Sequence, residues 1–314
     1  MSELYLVTGG AGFIGSNIVR KLVSLKKKTR VIDNLSTGKM DNIADLKDKI
    51  EFIQGDLRYL NTVMEVMDGV DYVLHQAALP SVPRSIQTPI ESNDNNINGT
   101  LNILYAASKN KVKRVIYAAS SSAYGDAPTL PKVETMKSSP LSPYAVNKLA
   151  GELYCAAFTN VYGLETVALR YFNVFGPYQD PGSYYSAVIP KFIKALLEGK
   201  APIIYGDGEQ SRDFSYIDNV VSANLLACTA PNVAGQLINV ACGERTSLND
   251  LYRMLQDILG VHIAAEYSDP RPGDVKHSLA NIDRAKELLD YKVLIPVIAG
   301  LEKTTAWFRN YYQL

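Results

Sequence analysis

Cysteine is scarce. Cys155, Cys228 and Cys242 stand far apart in a chain of 314 residues. So few and so scattered, they exclude a disulfide framework and read as small core residues of a reducing, cytoplasmic setting. Histidine is as sparse, and His75, His262 and His277 lack metal-ligand spacing, so no metal is expected. Neither sign of charge prevails: Lys plus Arg and Asp plus Glu each total 32, which gives no global attraction to nucleic acid or to an anionic membrane. The short Lys26-Lys27-Lys28 run is the solvated end of a helix, where cations complement the helix dipole. No apolar stretch approaches the roughly 20 residues that span a bilayer. The apolar N-terminal residues are followed, not preceded, by basic ones, so they are expected to form a strand and not a signal peptide. What remains is a globular chain long enough to bury a sizeable core in one or two domains.

Glycine, by contrast, is concentrated where it has a use. Thr8-Gly9-Gly10-Ala11-Gly12-Phe13-Ile14-Gly15 separates the strand-like run Leu4 to Val7 from a helical pattern at Ile14, Ile18, Val19, Leu22 and Val23. Glycines in that context allow a tight turn and bring backbone N–H groups at a helix N-terminus up to a pyrophosphate. The next apolar pair, Val31-Ile32, ends in Asp33, eighteen positions beyond Gly15. That is near the spacing of about 20 expected for the acid that binds an adenosine ribose. Its charge favours NAD over NADP, with Lys39 nearby as the one opposing feature.

Further apolar runs at Glu51 to Ile53, Tyr72 to Leu74, Arg114 to Ala118, Thr166 to Arg170 and Leu237 to Val240 alternate with helical stretches at Asn61 to Met67, Pro89 to Lys109, Pro143 to Tyr162 and Asn219 to Thr229. The alternation predicts an α/β fold, a Rossmann-type doubly wound parallel sheet of about seven strands. Elsewhere the texture changes: a Gly-, Pro- and Tyr-rich loop, helices near Val188 to Leu197, Leu248 to Leu259 and Ile282 to Leu289, and a short Ile203 to Tyr205 strand. We therefore expect a dinucleotide-binding domain at 1–173 with a return at 213–242, and a smaller mixed α/β substrate domain from 174–212 and 243–314.

Tyr144 and Lys148 lie one helical turn apart, downstream of the run Ser120-Ser121-Ser122. A phenol with a pKa of about 10 is a poor base, and a neighbouring cation can stabilise its phenolate. Tyr-x-x-x-Lys alone would mean only an amphipathic helix with a snorkelling lysine. The glycine loop upstream makes hydride-transfer chemistry the better reading.

Thr8 to Gly15, Asp33, Asp56, Ala77-Ala78, Ser120 to Gly125, Tyr144 to Lys148 and Arg170 to Asn173 together resemble the extended short-chain dehydrogenase/reductase family. Within it the chain is most similar to the nucleotide-sugar branch and its UDP-hexose 4-epimerases, through Arg212-Asp213-Phe214 and Arg271 to Asp274. The resemblance implies an NAD site of Gly9, Gly12, Phe13, Ile14, Gly15, Asp33, Asn34, Ser36, Asp56, Leu57, Ala77, Ala78, Asn95 and Phe172. It makes Tyr144 the acid/base, Lys148 the ribose ligand that depresses the phenol, and Ser120 the partner of the reacting hydroxyl, with Ser122 as helper. Asn173, Ala187, Val188, Tyr205, Arg212, Arg271 and Asp274 would grip UDP. Gln179 and Ser278 match relatives that accept N-acetylated sugars, Ser278 standing where others carry a bulky residue. Related dehydratases carry an Asp-Glu pair just after the active-site Ser or Thr; here Ser121, Ser122 and Ala123 follow Ser120, which favours 4-epimerisation of UDP-N-acetylglucosamine or UDP-glucose. Two rivals are a UDP-glucuronate 4-epimerase or decarboxylase, with Arg84 of Ser81-Val-Pro-Arg84 near the sugar carboxylate, and a non-catalytic NAD-sensing regulator. The resemblance also implies a homodimer paired through about Asn95 to Lys109 and Pro143 to Tyr162, with Ala150, Gly151, Ala156 and Ala157 for close packing.

Overall fold

The computed structural model describes residues 3–180, 188–270 and 275–312. Six strands follow one another as β1 (Leu4–Thr8), β2 (Lys28–Asp33), β3 (Glu51–Gln54), β4 (Tyr72–His75), β5 (Arg114–Ser120) and β6 (Thr166–Tyr171); Gln236–Val240 returns as a seventh. In space the order is Gln236–Val240, β6, β5, β4, β1, β2, β3, with every neighbouring pair parallel. All seven predicted runs are therefore strands of one sheet. Continuous apolar sequence suits them because both faces are covered: β4 and β6 are buried along their whole length. Alternate side chains serve two cores, Tyr5 and Val7 on one face of β1 and Leu6 on the other.

Helices α1 (Phe13–Ser24), α2 (Leu60–Val66), α3 (Val82–Gln87), α4 (Pro89–Asn93), α5 (Gly99–Lys109) and α6 (Pro143–Tyr162) connect the first six strands. The predicted Pro89 to Lys109 helix is α4 and α5 joined by a π turn at Asp94–Asn98. Ser81 to Arg84, read as a loop, enters the short helix α3, whose first turn tolerates Pro83 because that N–H has no helical partner in any case. At α6 the sequence sets both ends. The Ser142 hydroxyl accepts from Ala145 N–H at 3.2 Å, Pro143 opens the first turn, and Gly163 closes it at φ +67°.

The chain reverses direction across the sheet between β1 and β4, which opens a crevice at the strands' C-terminal ends. After β6 come α7 (Val188–Leu197), α8 (Ile217–Thr229), α9 (Leu248–Leu259), α10 (Asp283–Leu289) and α11 (Val297–Tyr312): α8 packs against α1, β5 and β6, α10 against Gln236–Val240 and α8, and α7, α9 and α11 against one another, with short strand pairs Ile203–Tyr205 with Glu266–Ser268, Ser211–Arg212 with Thr246–Ser247, and Val174–Phe175 with Ser215–Tyr216. Residues of α7, α9 and α11 join the same core as one face of the sheet. No helix among the described residues is long and apolar enough to cross a membrane.

Candidate active site

A cleft of about 870 Å³ occupies the crevice. Its floor is the glycine loop. Gly9 turns at φ +67°, and a Cβ at Gly15 would stand 2.1 Å from the Gly9 carbonyl, so only glycine lets α1 start this close to β1. Gly12 caps α1 without a side-chain acceptor, and no acidic residue occupies the first turn. The orphan N–H groups there, with Gly12, Phe13, Ile14 and Gly15 lining the cleft, are a donor set that suits a pyrophosphate. Asp33 follows at the end of β2, 8% exposed. Its Oδ2 accepts from Ala11 N–H at 3.0 Å and its Oδ1 from Leu35 N–H at 2.8 Å. Burial raises its pKa while those two N–H groups oppose the shift. Each oxygen keeps an acceptor site for a ribose hydroxyl. Lys39 does not approach this carboxylate as a phosphate ligand would; it pairs with Asp180 across the mouth at 3.0 Å. Asn34, Ser36, Asp56, Leu57, Ala77, Ala78 and Asn95 also line the cleft. Asp56 is held down to about 2 by hydrogen bonds from Arg58. These residues fit a bound dinucleotide.

At the far end of the cleft stand Tyr144 and Lys148. The Tyr144 N–H, left over by the helix start, donates to Ser85 Oγ at 3.0 Å. Burial raises the phenol's pKa, and hydrogen bonding to Ser120 opposes that. The expected depression by Lys148 is not seen in this structure. Its ammonium donates to the Ala118 carbonyl at 2.7 Å and sits 5.1 Å from the centre of the Tyr117 ring, while burial lowers its own pKa to about 8. Ser122 Oγ donates to Ser120 Oγ at 2.9 Å, which leaves the Ser120 proton free to turn toward Tyr144.

Phe172 does not line this cleft: it is completely buried, tilted against Tyr124 at 6.1 Å, and its neighbour Tyr171 is among the aromatics that do line it. Asn173, Val188, Tyr205 and Arg212 line a second cavity of about 530 Å³, together with Lys191, Gln210 and apolar side chains such as Phe175, Ile189 and Phe192. Gln179 is not with them: it lines the first cleft, its Nε2 donating to the Val174 carbonyl at 3.3 Å. Ser278 lines neither cavity, and its N–H donates to the Ser211 carbonyl at 3.0 Å. Ala187, Arg271 and Asp274 lie outside the described residues. Arg84 faces the first cleft. The three cysteines are buried and free.

Sequence reasoning passed over Asp213 as a structural group. Fully buried between the two cavity-forming layers, it accepts from the N–H groups of Cys242, Gly243 and Ala280 at 2.9, 3.0 and 3.2 Å, and burial lifts its pKa to about 7. Its only signal was its place between Arg212 and Phe214.

Residues 5–241 match the NAD dependent epimerase/dehydratase family. A UDP-N-acetylglucosamine 4-epimerase from Methanobrevibacter ruminantium M1, solved with UDP-N-acetylmuramic acid, is 43% identical, covers 100% of both chains and superposes with a TM-score of 0.94. A UDP-glucuronic acid 4-epimerase from Bacillus cereus, solved with UDP-glucuronic acid and NAD, is 34% identical across 98% of this chain and 100% of its own, with a TM-score of 0.91. A putative UDP-glucose 4-epimerase of Methanocaldococcus jannaschii is 38% identical over 98% of this chain and 99% of its own length. With its glycine loop, Asp33 carboxylate and Tyr144/Lys148 pair in one cleft, the chain belongs to the NAD-dependent epimerase/dehydratase family, is an enzyme of its UDP-sugar 4-epimerase group, and uses NAD as its cofactor.

Proposed function

We propose that the protein interconverts UDP-N-acetylglucosamine with UDP-N-acetylgalactosamine, UDP-glucose with UDP-galactose, or both, through a 4-keto sugar. The observation that carries this is the polar set at Tyr144: Ser120 bonded to the phenol, Ser122 bonded to Ser120, and no carboxylate in the turn Ser121-Ser122-Ala123. One acid/base group without a second acid suits a proton that leaves and returns at the same oxygen. When bound, NAD supplies the electron-pair acceptor and donor for sugar carbon 4. Tyr144 Oη takes the proton of the 4-hydroxyl and gives it back. Ser120 Oγ orients that hydroxyl, and Lys148, which lines the same cleft, holds the cofactor's ribose. Asn173, Val188, Tyr205 and Arg212 anchor the UDP end, away from the reacting carbon, so that the hexose can turn while the nucleotide stays held. On this reading residues 1–173 and 213–242 carry the cofactor, and 174–212 and 243–314 the nucleotide sugar.

Arg84 in the first cleft favours one alternative, a sugar carboxylate as in the Bacillus cereus relative. Incubation with UDP-N-acetylglucosamine, UDP-glucose and UDP-glucuronate separately, read by NMR of the 4-epimers, decides; turnover of UDP-glucuronate alone sinks the hexose reading. The tolerance of an acetamido group assigned to Ser278 rests on the resemblance alone, since Ser278 lines neither cavity. Ser278→Tyr should suppress N-acetyl turnover and spare UDP-glucose, and equal loss of both would discount it.

A homodimer through α5 and α6 fits the surface. Val146, Leu153 and Val161 are 48%, 63% and 72% exposed along one face of α6, with Ala157 between them, and on α5 Tyr105 is 41% exposed. Gly151 does not belong to that face. A Cβ there would lie 2.2 Å from the Tyr117 hydroxyl, so this glycine seats α6 on the sheet.

A further inference from the structure

Tyr178, Gln179 and Asp180 belong by sequence to the substrate layer, yet they line the cofactor cleft with the glycine loop and Asp33, and Trp307 and Tyr311 of α11 stand there with them. None of the residues assigned to the cofactor from the sequence accounts for this wall. It comes from the other half of the chain.

Three ties fix this stretch to the dinucleotide-binding side. Asn17 Nδ2 donates to the Pro177 carbonyl at 3.1 Å and to the Phe13 carbonyl at 2.9 Å, which sets the chain beside the first turn of α1, where the pyrophosphate donors are. The Arg20 guanidinium lies 4.4 Å from the centre of the Tyr178 ring, a cation–π contact. It also pairs with Asp45 at 2.6 Å and donates to the Asn42 carbonyl at 2.7 Å. Asn42 Nδ2 in turn donates at 2.8 Å to the carbonyl of Ala11, the residue whose N–H holds Asp33. The third tie is the Lys39–Asp180 pair at 3.0 Å, which is partly exposed and adds little by itself. From α11, Trp307 tilts against Tyr178 at 5.2 Å and stacks on Tyr311 at 5.1 Å.

Two features of the stretch point to a ligand beneath it. Tyr178 has φ +69°, a backbone state in which a bulky residue is strained and stays only when its surroundings hold it; such strain gathers at ligand clamps. Gln179 Oε1 is buried and has no hydrogen-bond partner among the described residues, although its own Nε2 is satisfied by the Val174 carbonyl. An acceptor left over on the wall of a cleft asks for a donor inside it, and a ribose hydroxyl supplies one. A loop that merely covered the core would need neither feature, and Tyr178 belongs to neither apolar core.

We propose that Tyr178, Gln179 and Asp180, backed by Trp307, complete the cofactor site as a strap closed over the pyrophosphate and ribose, which keeps NAD bound from one turnover to the next. Release of the dinucleotide then requires the Tyr178 ring to leave both Arg20 and Trp307. The strap depends on NAD occupying the first cleft and not on which UDP-sugar reacts.

The test is the rate at which bound NAD exchanges with isotopically labelled NAD, read by mass spectrometry of the nucleotide released on denaturation. Tyr178→Gly removes the ring and suits the positive φ, so it keeps the fold; Trp307→Leu removes the other half of the contact, and Gln179→Leu removes only the acceptor. Exchange should be about ten- to a hundredfold faster in Tyr178→Gly and Trp307→Leu, and faster to a smaller extent in Gln179→Leu. With saturating NAD, kcat of Tyr178→Gly should stay within about twofold of wild type, because the ring touches the exit and not the reacting atoms. Exchange at the wild-type rate in Tyr178→Gly would overturn the strap, and so would fast exchange accompanied by an equal fall in kcat at saturating NAD, which would mean a distorted cleft. If the wild type epimerises none of the UDP-sugars, the functional reading fails by itself, and the exchange rates, which need no turnover, still decide the strap.

Discussion

At the scale of single residues, the site depends on what one atom more or less can do. Tyr144→Phe keeps the ring that packs on α6 and removes only the oxygen bonded toward Ser120. It should cost orders of magnitude in turnover, with little change in Tm and with NAD retained. Near-normal kcat would place the acid/base elsewhere. Gly15→Ala adds the opposite kind of change, a methyl group 2.1 Å from the Gly9 carbonyl, with the Gly10 Cα 2.8 Å away. Backbone is what it meets, so the loop must move. The variant should purify without NAD, as measured by release of nucleotide on denaturation; full NAD content would show that the loop yields more easily than its packing implies. Much of this was legible from sequence because glycine, the ribose carboxylate and the Tyr/Lys spacing are set by chemistry that few other residues can supply. Phe172 was not. Adjacent aromatics at a strand end look alike in a sequence, and both join one core: Tyr171, the last residue of β6, also reaches the cleft, whereas Phe172, just beyond the strand, is completely buried.

At the scale of elements, the seven strands could be read because a sheet covered on both faces writes unbroken apolar runs. The π turn could not: Asp94–Asn98 carries neither proline nor glycine within it, and the helical pattern passes through unchanged. Helix α3 was hidden by its proline. The strands' C-terminal ends also carry an acid-sensitive group. His75 ends β4, is 1% exposed, and is held neutral between Thr8 and Thr100, with burial pulling its pKa down to about 3. Unfolded, it would titrate near the ordinary imidazole value of 6.5. Between those values the unfolded chain binds the extra proton, so this contribution to stability is complete above about pH 6.5 and is lost as pH falls toward 3. The slope attributable to one such group is about 1.4 kcal/mol per pH unit. Denaturant unfolding of wild type and His75→Gln at pH 7, 6, 5 and 4 measures it. The two curves should converge as the pH drops, and a constant gap between them would mean that His75 does not carry the effect.

At the scale of the whole molecule, the same helix faces two ways. The inner side of α6 presents Tyr144 and Lys148 to the cleft and uses Gly151 to sit against Tyr117 of β5. Its outer side leaves Val146, Leu153 and Val161 in solvent. Isolated exposed apolar residues are ordinary, but Val146, Leu153 and Val161 recur at helical spacing on one face of α6. Burying each of these side chains against a second copy contributes about 1.5 to 3 kcal/mol before the cost of association, enough for a stable pair if the row is covered together. A glutamate at 153 would carry a charge into the middle of that interface, where no cation of α6 is at hand within one turn except on the cleft side. Leu153→Glu should therefore convert a dimer into a monomer in sedimentation at micromolar concentration, with the fold kept because the position is exposed in the single chain. A wild type that sediments as a monomer would refute the dimer outright. If the monomeric variant keeps its kcat, each cleft works alone, as expected of a site whose assigned side chains all come from one chain.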